Sequence, residues 1–240
     1  MKQLAILTQL FNFPKTKMPL FYNNMLTYIN KEDIHIIREN EGETDNKDID
    51  TLLFLFKVLK IKEYISNELV GKYEYVLYMD ATDTNIIRNP VNIINEFNKY
   101  NKSIIFGGEK VLYPNTEHNY LYDYKPKESE FIYLNAGVWL GKVKSVLKHM
   151  QQMVDNIDCI YEDQGRWTYQ YLTNDDIIID QKREFVFNTY DAADYITITE
   201  DGVLLNKITP YIIHDNGPKS GNTLKICEFY NGKKSKTTIV

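Results

Sequence analysis

The stretch YVLYMDATD, residues 75–83, places two aspartates after five apolar residues. A continuous apolar, β-prone run is typical of a central strand that is covered on both faces. Asp80 and Asp83 then lie where that strand ends, the position at which open α/β sheets bind their ligands. Two carboxylates there, with room for water and substrate oxygens, indicate a Mg²⁺ or Mn²⁺ site shared with a diphosphate. A solvated turn is the alternative, because aspartate is common in turns.

Strands and helices alternate around this stretch in the first half of the chain. Strands are predicted at 3–8, 34–37, 75–79 and 103–108, and helices at 17–31, 49–67 and 90–99. Such alternation predicts a single α/β domain with a Rossmann-like, mostly parallel central sheet flanked by helices.

The second half of the chain is less regular. Strands are predicted at 137–141, 176–180, 184–188, 195–198 and 211–214, and helices at 142–155 and 162–172. We expect the folded domain to span 1–225 and residues 226–240 to form a C-terminal tail.

Composition excludes several classes of protein. The net charge of -5 over 240 residues argues against a nucleic-acid binder, which would carry a strongly basic face. Apolar runs are too short to cross a bilayer, so no membrane partner is expected. The opening MKQLAILTQL is too short for a signal peptide, which predicts a cytoplasmic protein. The two cysteines, Cys159 and Cys227, lack the spacing of a metal or redox site.

His214 is a candidate third metal ligand. It ends the apolar run at 211–214, and the turn-forming stretch DNGPKSGN follows it. A single histidine after a strand is more often structural, but an imidazole beside two carboxylates would favour Mn²⁺ over Mg²⁺. The residues alone leave both interpretations open.

Two further segments contain candidate active-site residues. In FIYLNAGVWLG, Asn135 and Gly137 interrupt an apolar run, which indicates either a β-bulge or the close approach of a ligand. In IYEDQGRWTYQYL, Glu162 and Asp163 open an amphipathic helix. Acidic residues in a first turn also interact favourably with the helix dipole, so a structural role is the alternative.

Together these motifs resemble the glycosyltransferase domain of the procollagen lysyl hydroxylases, a metal-dependent domain of the GT-A fold. The similarity runs from about Thr51 to Lys225. YVLYMDATD is similar to the family's D-x-x-D metal motif, and IIFGGEKVLYPN to the strand and aromatic-Pro pair that follow. YLNAGVWLG is similar to the sugar-pocket segment, YEDQ to the acidic stretch, and IIHDNGP to the metal histidine and diphosphate loop. The resemblance implies a GT-A fold.

The resemblance also implies a complete donor site. Asp80, Asp83 and His214 would bind Mn²⁺, or Mg²⁺, which would bridge both phosphates of a UDP-sugar. Donor contacts would come from Thr8 at the uridine and from Lys57, Asp80, Tyr113, Gly137, Asn216, Gly217 and Lys219. The catalytic candidates around the transferred sugar and the acceptor would be Glu109, Asn135, Glu162 and Asp163.

This chain departs from the family between the metal aspartates. The family has an aromatic residue there that can stack on the uracil, whereas this chain has Thr82. Lys219 also comes one residue earlier after the proline than the family's lysine. The motif therefore does not identify what binds the nucleobase.

The activity that the resemblance implies is Mn²⁺-dependent transfer of glucose or galactose from a UDP-sugar to a collagen-like protein. The acceptor would be hydroxylysine or galactosyl-hydroxylysine. Alternatives are the same donor with a glycan or small-molecule acceptor, a metal-dependent phosphohydrolase, and a non-catalytic sugar-binding module. Tyr120, Tyr122 and Tyr124 leave open a sugar-stacking or homodimer surface, although packing is the commoner use of such residues.

Overall fold

The structure is a computed structural model that describes residues 1–11, 13–39, 55–155, 162–199, 202–205, 210–217 and 238–239. Lys219, both cysteines and residues 49–54 of the second predicted helix lie outside these ranges. Within them, no helix combines the length and the apolar character needed to cross a bilayer.

The described strands and helices follow the predicted alternation. The strands are β1 (Lys2–Phe11), β2 (Ile34–Glu39), β3 (Tyr73–Met79), β4 (Thr84–Ile86), β5 (Ile104–Glu109), β6 (Tyr133–Lys142), β7 (Ile177–Asp180), β8 (Val186–Asn188), β9 (Ile196–Thr199), β10 (Gly202–Leu205), β11 (Ile212–His214) and β12 (Thr238–Ile239). The α-helices are α1 (Tyr22–Met25), α2 (Ile61–Tyr64), α3 (Ile93–Asn98), α4 (Val143–Asp155) and α5 (Asp163–Thr173). Two π-helical segments, Leu55–Lys60 and Ile65–Leu69, flank α2 and continue it on both sides.

The central sheet has six strands in the order β2-β1-β3-β6-β5-β7. β1 pairs in parallel with β2 and β3, and β5 pairs in parallel with β7. β6 runs antiparallel to its neighbours β3 and β5. All strands of this sheet except β6 therefore end at one edge, where ligands of open α/β sheets bind. The predicted mostly parallel sheet is confirmed.

Apolar side chains cover both faces of the central sheet. On one face, residues of the helical stretch 55–69, α4 and α5 form a single cluster with the strands. On the other face, α1 and α3 pack against the strands in a second cluster. Tyr78 of β3 stacks on Trp139 of β6, with ring centroids 5.2 Å apart. Burial on both faces explains why β3 appears in the sequence as a continuous apolar run.

A smaller sheet brings the end of β11 to the same edge. Its order is β4-β11-β8, with β11 antiparallel to β4 and parallel to β8. In this register His214 lies opposite Thr84 and Asn188. Because β4 follows β3 closely in the chain, the pairing carries His214 toward the carboxyl edge of the central sheet.

The helix predicted at 17–31 is much shorter in the structure. α1 forms only one turn, and turns follow it. Phe21 and Ile29 are buried, so the apolar spacing reports burial rather than a long helix. After Met25 the N–H groups of Thr27 and Tyr28 donate to the carbonyls three residues earlier, at 3.1 and 2.9 Å, so the chain continues in tighter turns and not as an α-helix.

The second predicted helix is present from residue 55 to residue 69. At the other end of the chain, β12 falls within the predicted tail and pairs in parallel with β10. Most of 218–240 lies outside the described residues, so the boundary at 225 stays a prediction.

Candidate metal site and active-site cavity

Asp80 and Asp83 lie in the turn that follows β3. The Asp80 N–H donates to the carbonyl of Gly137 on β6 at 2.8 Å, and the Tyr78 hydroxyl donates to Asp80 Oδ1 at 3.0 Å. The carbonyl of Asp83 accepts from the Asp215 N–H at 2.9 Å. Both aspartates are therefore anchored to neighbouring strands through their backbone.

His214 approaches the aspartates from the smaller sheet. Its Nε2 is 3.6 Å from Asp83 Oδ1 and 3.9 Å from Asp80 Oδ2. Its Nδ1 is 2.8 Å from Asn188 Oδ1, and Asn188 Nδ2 donates to the carbonyl of Gly108 at 2.9 Å. Because an amide oxygen only accepts, this contact places a proton on Nδ1 and leaves Nε2 of the neutral ring as a ligand atom.

The three side chains fit a divalent metal. One ligand atom from each lies within 4.8 Å of the others. Asp83 Oδ1 is buried and has no hydrogen-bond partner among the residues that the structure describes. Two carboxylates and an imidazole form a donor set suited to Mn²⁺ or Mg²⁺. Asp80, Asp83 and His214 would hold the ion.

Mutual attraction shifts the protonation of the metal-free site. Burial lowers the pKa of His214, but the Asp83 and Asp80 carboxylates outweigh burial and raise that pKa above its ordinary value. Burial raises the pKa of Asp83, but the charge of His214 outweighs it and holds that pKa below its ordinary value. A proton on His214 thus competes with a metal ion, so metal affinity should fall as the pH falls.

Gly137 provides the space in which the three side chains meet. An added Cβ would lie 2.2 Å from His214 Cε1 and 2.8 Å from Asp80 Oδ2. The pairing of β5 with β6 shifts register after Phe106 and leaves residues 136–138 without partners on β5. The strand irregularity expected at Gly137 is thus present, and the missing side chain also leaves room for His214 and Asp80. The close approach of a ligand stays a prediction.

Glu109, at the end of β5, is surrounded by side-chain amides. Its Oε1 accepts from Gln164 Nε2 at 2.9 Å, and its Oε2 accepts from Asn216 Nδ2 at 2.7 Å and Asn135 Nδ2 at 3.3 Å. Burial raises the pKa of Glu109 to about 7, although these hydrogen bonds oppose the rise. Glu109 can therefore exchange a proton near neutral pH, as a general acid or base does.

Lys57, Glu162 and Asp163 form a second charged group. Lys57 Nζ is 3.0 Å from Asp80 Oδ1 and 3.7 Å from Asp163 Oδ2. Burial, followed by the charge of Asp163, raises the pKa of Glu162 to about 8. Its Oε1 is buried and has no hydrogen-bond partner within the described part of the chain. At neutral pH a protonated Glu162 can donate a hydrogen bond to a ligand.

These groups surround a cavity of about 450 Å³. The predicted site residues that line it are Lys57, Asp80, Asp83, Glu109, Tyr113, Asn135, Gly137, Glu162, Asp163, His214, Asn216 and Gly217. Thr8 does not line it, because its side chain is fully buried and its hydroxyl donates to the carbonyl of Met79 at 2.6 Å. Lys219 lies outside the described residues.

Gln164, Asn188 and Tyr190 belong to the site but were not predicted. Gln164 accepts from the Ala136 N–H at 2.9 Å while it donates to Glu109. Its position next to Asp163 was the available signal. Asn188 is the last residue of β8, as His214 is of β11, and Asp80 directly follows β3. This position at a strand end was the signal that could have identified Asn188. Tyr190 lines the cavity without a comparable pattern in the sequence.

A solved glycosyltransferase has the same overall fold. The matched structure is described as a glycosyltransferase involved in the glycosylation of the major capsid of PBCV-1. The TM-score is 0.55 at 12% identity, over 94% of this chain and 98% of that chain. The fold is thus of a glycosyltransferase type, and its ligand edge carries the Asp80, Asp83 and His214 cluster.

The sequence identifies the family. A sequence model of the family described as the PLOD GT domain, the glycosyltransferase domain of the lysyl hydroxylases, matches residues 41–238. The chain therefore belongs to this family of glycosyltransferase domains. No match was found among curated proteins. The family and the enzyme class predicted from the sequence are confirmed.

Proposed function

We propose that this glycosyltransferase uses a UDP-sugar and Mn²⁺ to transfer glucose or galactose to hydroxylysine or galactosyl-hydroxylysine of a collagen-like protein. The observation that carries the proposal is the convergence of three metal-ligating atoms within 4.8 Å of one another. They meet in the wall of a cavity that Glu109, Glu162 and Asp163 also line.

Charge on the leaving group is the main chemical demand of the reaction. Breaking the bond between the sugar and the diphosphate leaves negative charge on UDP, which a divalent cation at Asp80, Asp83 and His214 would neutralise. Lys57, whose Nζ lies 3.0 Å from Asp80, adds a positive charge at the same place. Burial lowers the pKa of Lys57, but Asp163 and Asp80 outweigh burial and hold it well above its ordinary value, so Lys57 stays charged.

The acceptor hydroxyl needs a group that orients it and takes its proton. Glu109 and Glu162 both line the cavity and have pKa values of about 7 and about 8. Glu109 is held by three amides, whereas Glu162 has an oxygen without a partner in the described structure. Glu162 therefore orients the acceptor, and Glu109 is the candidate base.

The acidic wall also supports a cationic acceptor. Hydroxylysine carries a primary amine, and its positive charge would favour the ionised forms of Glu109 and Glu162, which burial otherwise keeps largely protonated near neutral pH. A different acceptor is the alternative, since the solved viral enzyme is described as acting in capsid glycosylation. A phosphohydrolase is less well supported, because the described residues contain only one group that could hold a metal. The cytoplasmic location and a homodimer stay predictions.

Release of UDP from UDP-glucose and UDP-galactose tests the proposal. We expect release to require Mn²⁺ or Mg²⁺, to stop on chelation, and to increase with a collagen-like peptide that contains hydroxylysine or its galactosylated form. The matched control peptide has lysine at the same positions. Metal-dependent release that no hydroxylysine peptide stimulates would favour another acceptor, and the absence of any release would contradict the proposed donor.

A further inference from the structure

A second cavity, of about 480 Å³, lies along an edge of the central sheet. It is about as large as the active-site cavity of about 450 Å³, and the two share no lining residue. Strand β7 forms one of its walls and pairs, among the described strands, only with β5. Ile177, Ile178 and Ile179 all line the cavity, although successive side chains of a strand point to opposite faces. The cavity therefore runs along the open edge of β7.

Two lysine ammonium groups meet at Asp175 in this cavity. Lys125 Nζ is 3.9 Å from Asp175 Oδ1, and Lys102 Nζ donates to the carbonyl of Asp175 at 2.6 Å. The Lys125 side chain is only 16% exposed, whereas that of Asp175 is fully exposed. Burial lowers the pKa of Lys125; the Asp175 carboxylate opposes this shift and the charge of Lys102 adds to it. The positive charge at this place is thus only partly compensated.

The other polar groups of the cavity include donors without partners. Lys125 Nζ lies 4.9 Å from the centroid of the Tyr171 ring and makes no hydrogen bond within the described ranges. The hydroxyls of Tyr100 and Tyr171 likewise have no hydrogen-bond partner among the described residues. An ammonium group only donates, and each hydroxyl has one proton to donate. A ligand that satisfies these groups must carry several acceptor oxygens, and negative charge strengthens its hydrogen bonds.

An exposed tyrosine ring stands at the rim of the cavity. Tyr124 ends the 3₁₀-helix Asn119–Tyr124 and is 80% exposed. Of the three tyrosines that the sequence left open as a sugar-stacking surface, Tyr124 lines this cavity. Tyr122 is buried, and its hydroxyl accepts from the Leu134 N–H at 3.1 Å, so it has a packing role. An exposed tyrosine offers an apolar face with a polar tip, which suits the ring of a sugar.

Hydrogen bonds hold the loop after Tyr124 in place. Gln181 Oε1 accepts from the Glu128 N–H at 2.7 Å, and Gln181 Nε2 donates to the carbonyl of Pro126 at 2.7 Å. These contacts tie the loop to the end of β7, so this wall of the cavity is preformed, as is usual for small-molecule sites.

We propose that this cavity is a second binding site, for a hexose that carries a phosphate, sulfate or carboxylate group. The charged group lies at Lys102 and Lys125, and the sugar ring lies against Tyr124. Three lysines and two carboxylates line the cavity, and one carboxylate, Glu128, is 3.7 Å from the third lysine, Lys182. The excess positive charge therefore remains at the Lys102 and Lys125 end. Because the candidate metal ligands line the other cavity, the site binds its ligand without transferring it.

Calorimetric titration with glucose 6-phosphate, galactose 6-sulfate and glucuronate, without added metal, tests the proposal. We expect at least one of these sugars to bind, and neutral glucose to bind more weakly. Lys125→Gln and Lys102→Gln should each weaken binding of the charged sugar by at least about 10-fold, the contribution of one charge-assisted hydrogen bond. Lys127→Gln is the matched control. It removes the same charge from the same loop, but Lys127 pairs with Asp123 at 3.2 Å and does not line the cavity.

Tyr124→Leu separates recognition of the sugar from recognition of its charged group. It should weaken binding of the charged sugar by about 5-fold, because one face of the ring loses its aromatic contact, and leave binding of inorganic phosphate unchanged. Tyr120→Leu is the control, since Tyr120 is 61% exposed and lines neither this cavity nor the active-site cavity.

Two results would overturn the proposal. The first is a failure of all three charged sugars to bind, which would leave the lysines as groups that protect an edge strand from pairing. The second is unchanged affinity in both lysine variants. Inorganic phosphate bound as tightly as glucose 6-phosphate would overturn the assignment of a sugar. Tyr124→Leu keeps the test valid if a lysine variant unfolds, because Tyr124 is exposed. All variants should release UDP as the wild type does, so the proposed function stands or fails independently.

Discussion

The two sides of the metal site are held in different ways. Asp80 and Asp83 come from one turn after β3 of the central sheet, so the local backbone sets their separation. His214 reaches them from the smaller sheet through the pairing of β11 with β4 and β8. The first side depends on a short segment, and the second depends on the packing of distant parts of the chain. Substitutions of Asp80 or Asp83 should therefore act mainly through the loss of negative charge. Substitutions around His214 should act mainly by moving its ring away from the aspartates.

Removal of one carboxylate charge should have the largest effect. Asp83→Asn keeps the shape of the side chain but removes a charge that holds the cation, so UDP release should fall by at least about 1000-fold, since metal-ion stabilisation is worth several kcal/mol. An assay of UDP release measures this. The control is Asp123→Asn, an exposed position that should retain wild-type activity. Activity within about 10-fold of wild type would contradict the metal assignment.

Gly137→Ala should disturb both sides of the site at once. Its Cβ would overlap His214 and Asp80, so the two sides can no longer approach each other. We expect Mn²⁺ affinity to fall by more than about 100-fold, because loss of an outer hydrogen-bond partner alone costs about 10- to 100-fold. Calorimetric titration with Mn²⁺ measures the affinity, and thermal unfolding reports whether the fold is retained. Retained affinity in a folded variant would mean that the sides move independently.

Asn188→Leu should disturb His214 and leave the aspartates in place, although it also removes the hydrogen bond to the Gly108 carbonyl. It removes the acceptor for His214 Nδ1 and leaves both aspartates untouched, so Mn²⁺ affinity should fall by about 10- to 100-fold. Asn115→Leu, at an exposed position, is the control and should bind Mn²⁺ as the wild type does. An affinity equal to wild type would show that His214 is oriented by other contacts.

The smallest expected effect is on stability and concerns Glu109. Its pKa is raised from 4.5 to about 7 in the folded protein, so the folded state holds a proton that the unfolded state releases. Stability of the metal-free protein should therefore fall as the pH rises through this range, and Glu109→Gln should reduce that fall by on the order of 1 kcal/mol. Urea unfolding at several pH values measures this. Glu63→Gln, an exposed position, should follow the wild-type profile.

Much of the central-sheet side could be predicted from the sequence. β3 is covered on both faces, which produces an uninterrupted apolar run in the sequence. The carboxylates of Asp80 and Asp83 follow it within four residues, so the run and the metal motif are visible together. The same local signal failed at 17–31, where apolar spacing reports burial of Phe21 and Ile29 without a long helix. Periodicity identifies which side chains are buried more reliably than it identifies the backbone conformation that buries them.

The smaller-sheet side could be predicted only in part. His214 was a candidate from its place at the end of an apolar run, and the resemblance favoured the metal role. Asn188 acquires its role from the register of β8 and β11, which no local pattern encodes. Thr8 was expected at the nucleotide, but its side chain is buried against Met79, and its neighbours Gln9 and Phe11 line a cavity of about 220 Å³ beside the metal site. A shift of one residue moves a side chain to the opposite face of the strand. Both faces of β1 are mostly apolar, so its sequence does not show which face meets a ligand.

The reversed direction of β6 has a consequence for how acceptors are chosen. Glu109 at the end of β5 lies opposite Tyr133 at the start of β6, so the chain between them departs from and returns to the same rim of the sheet. Val111 and Tyr113, at its beginning, already line the cavity of about 450 Å³ that contains the candidate metal ligands. Under the proposed function, insertions or replacements in this excursion would change acceptor selectivity while the proposed metal ligands and their supporting strands stay unaltered.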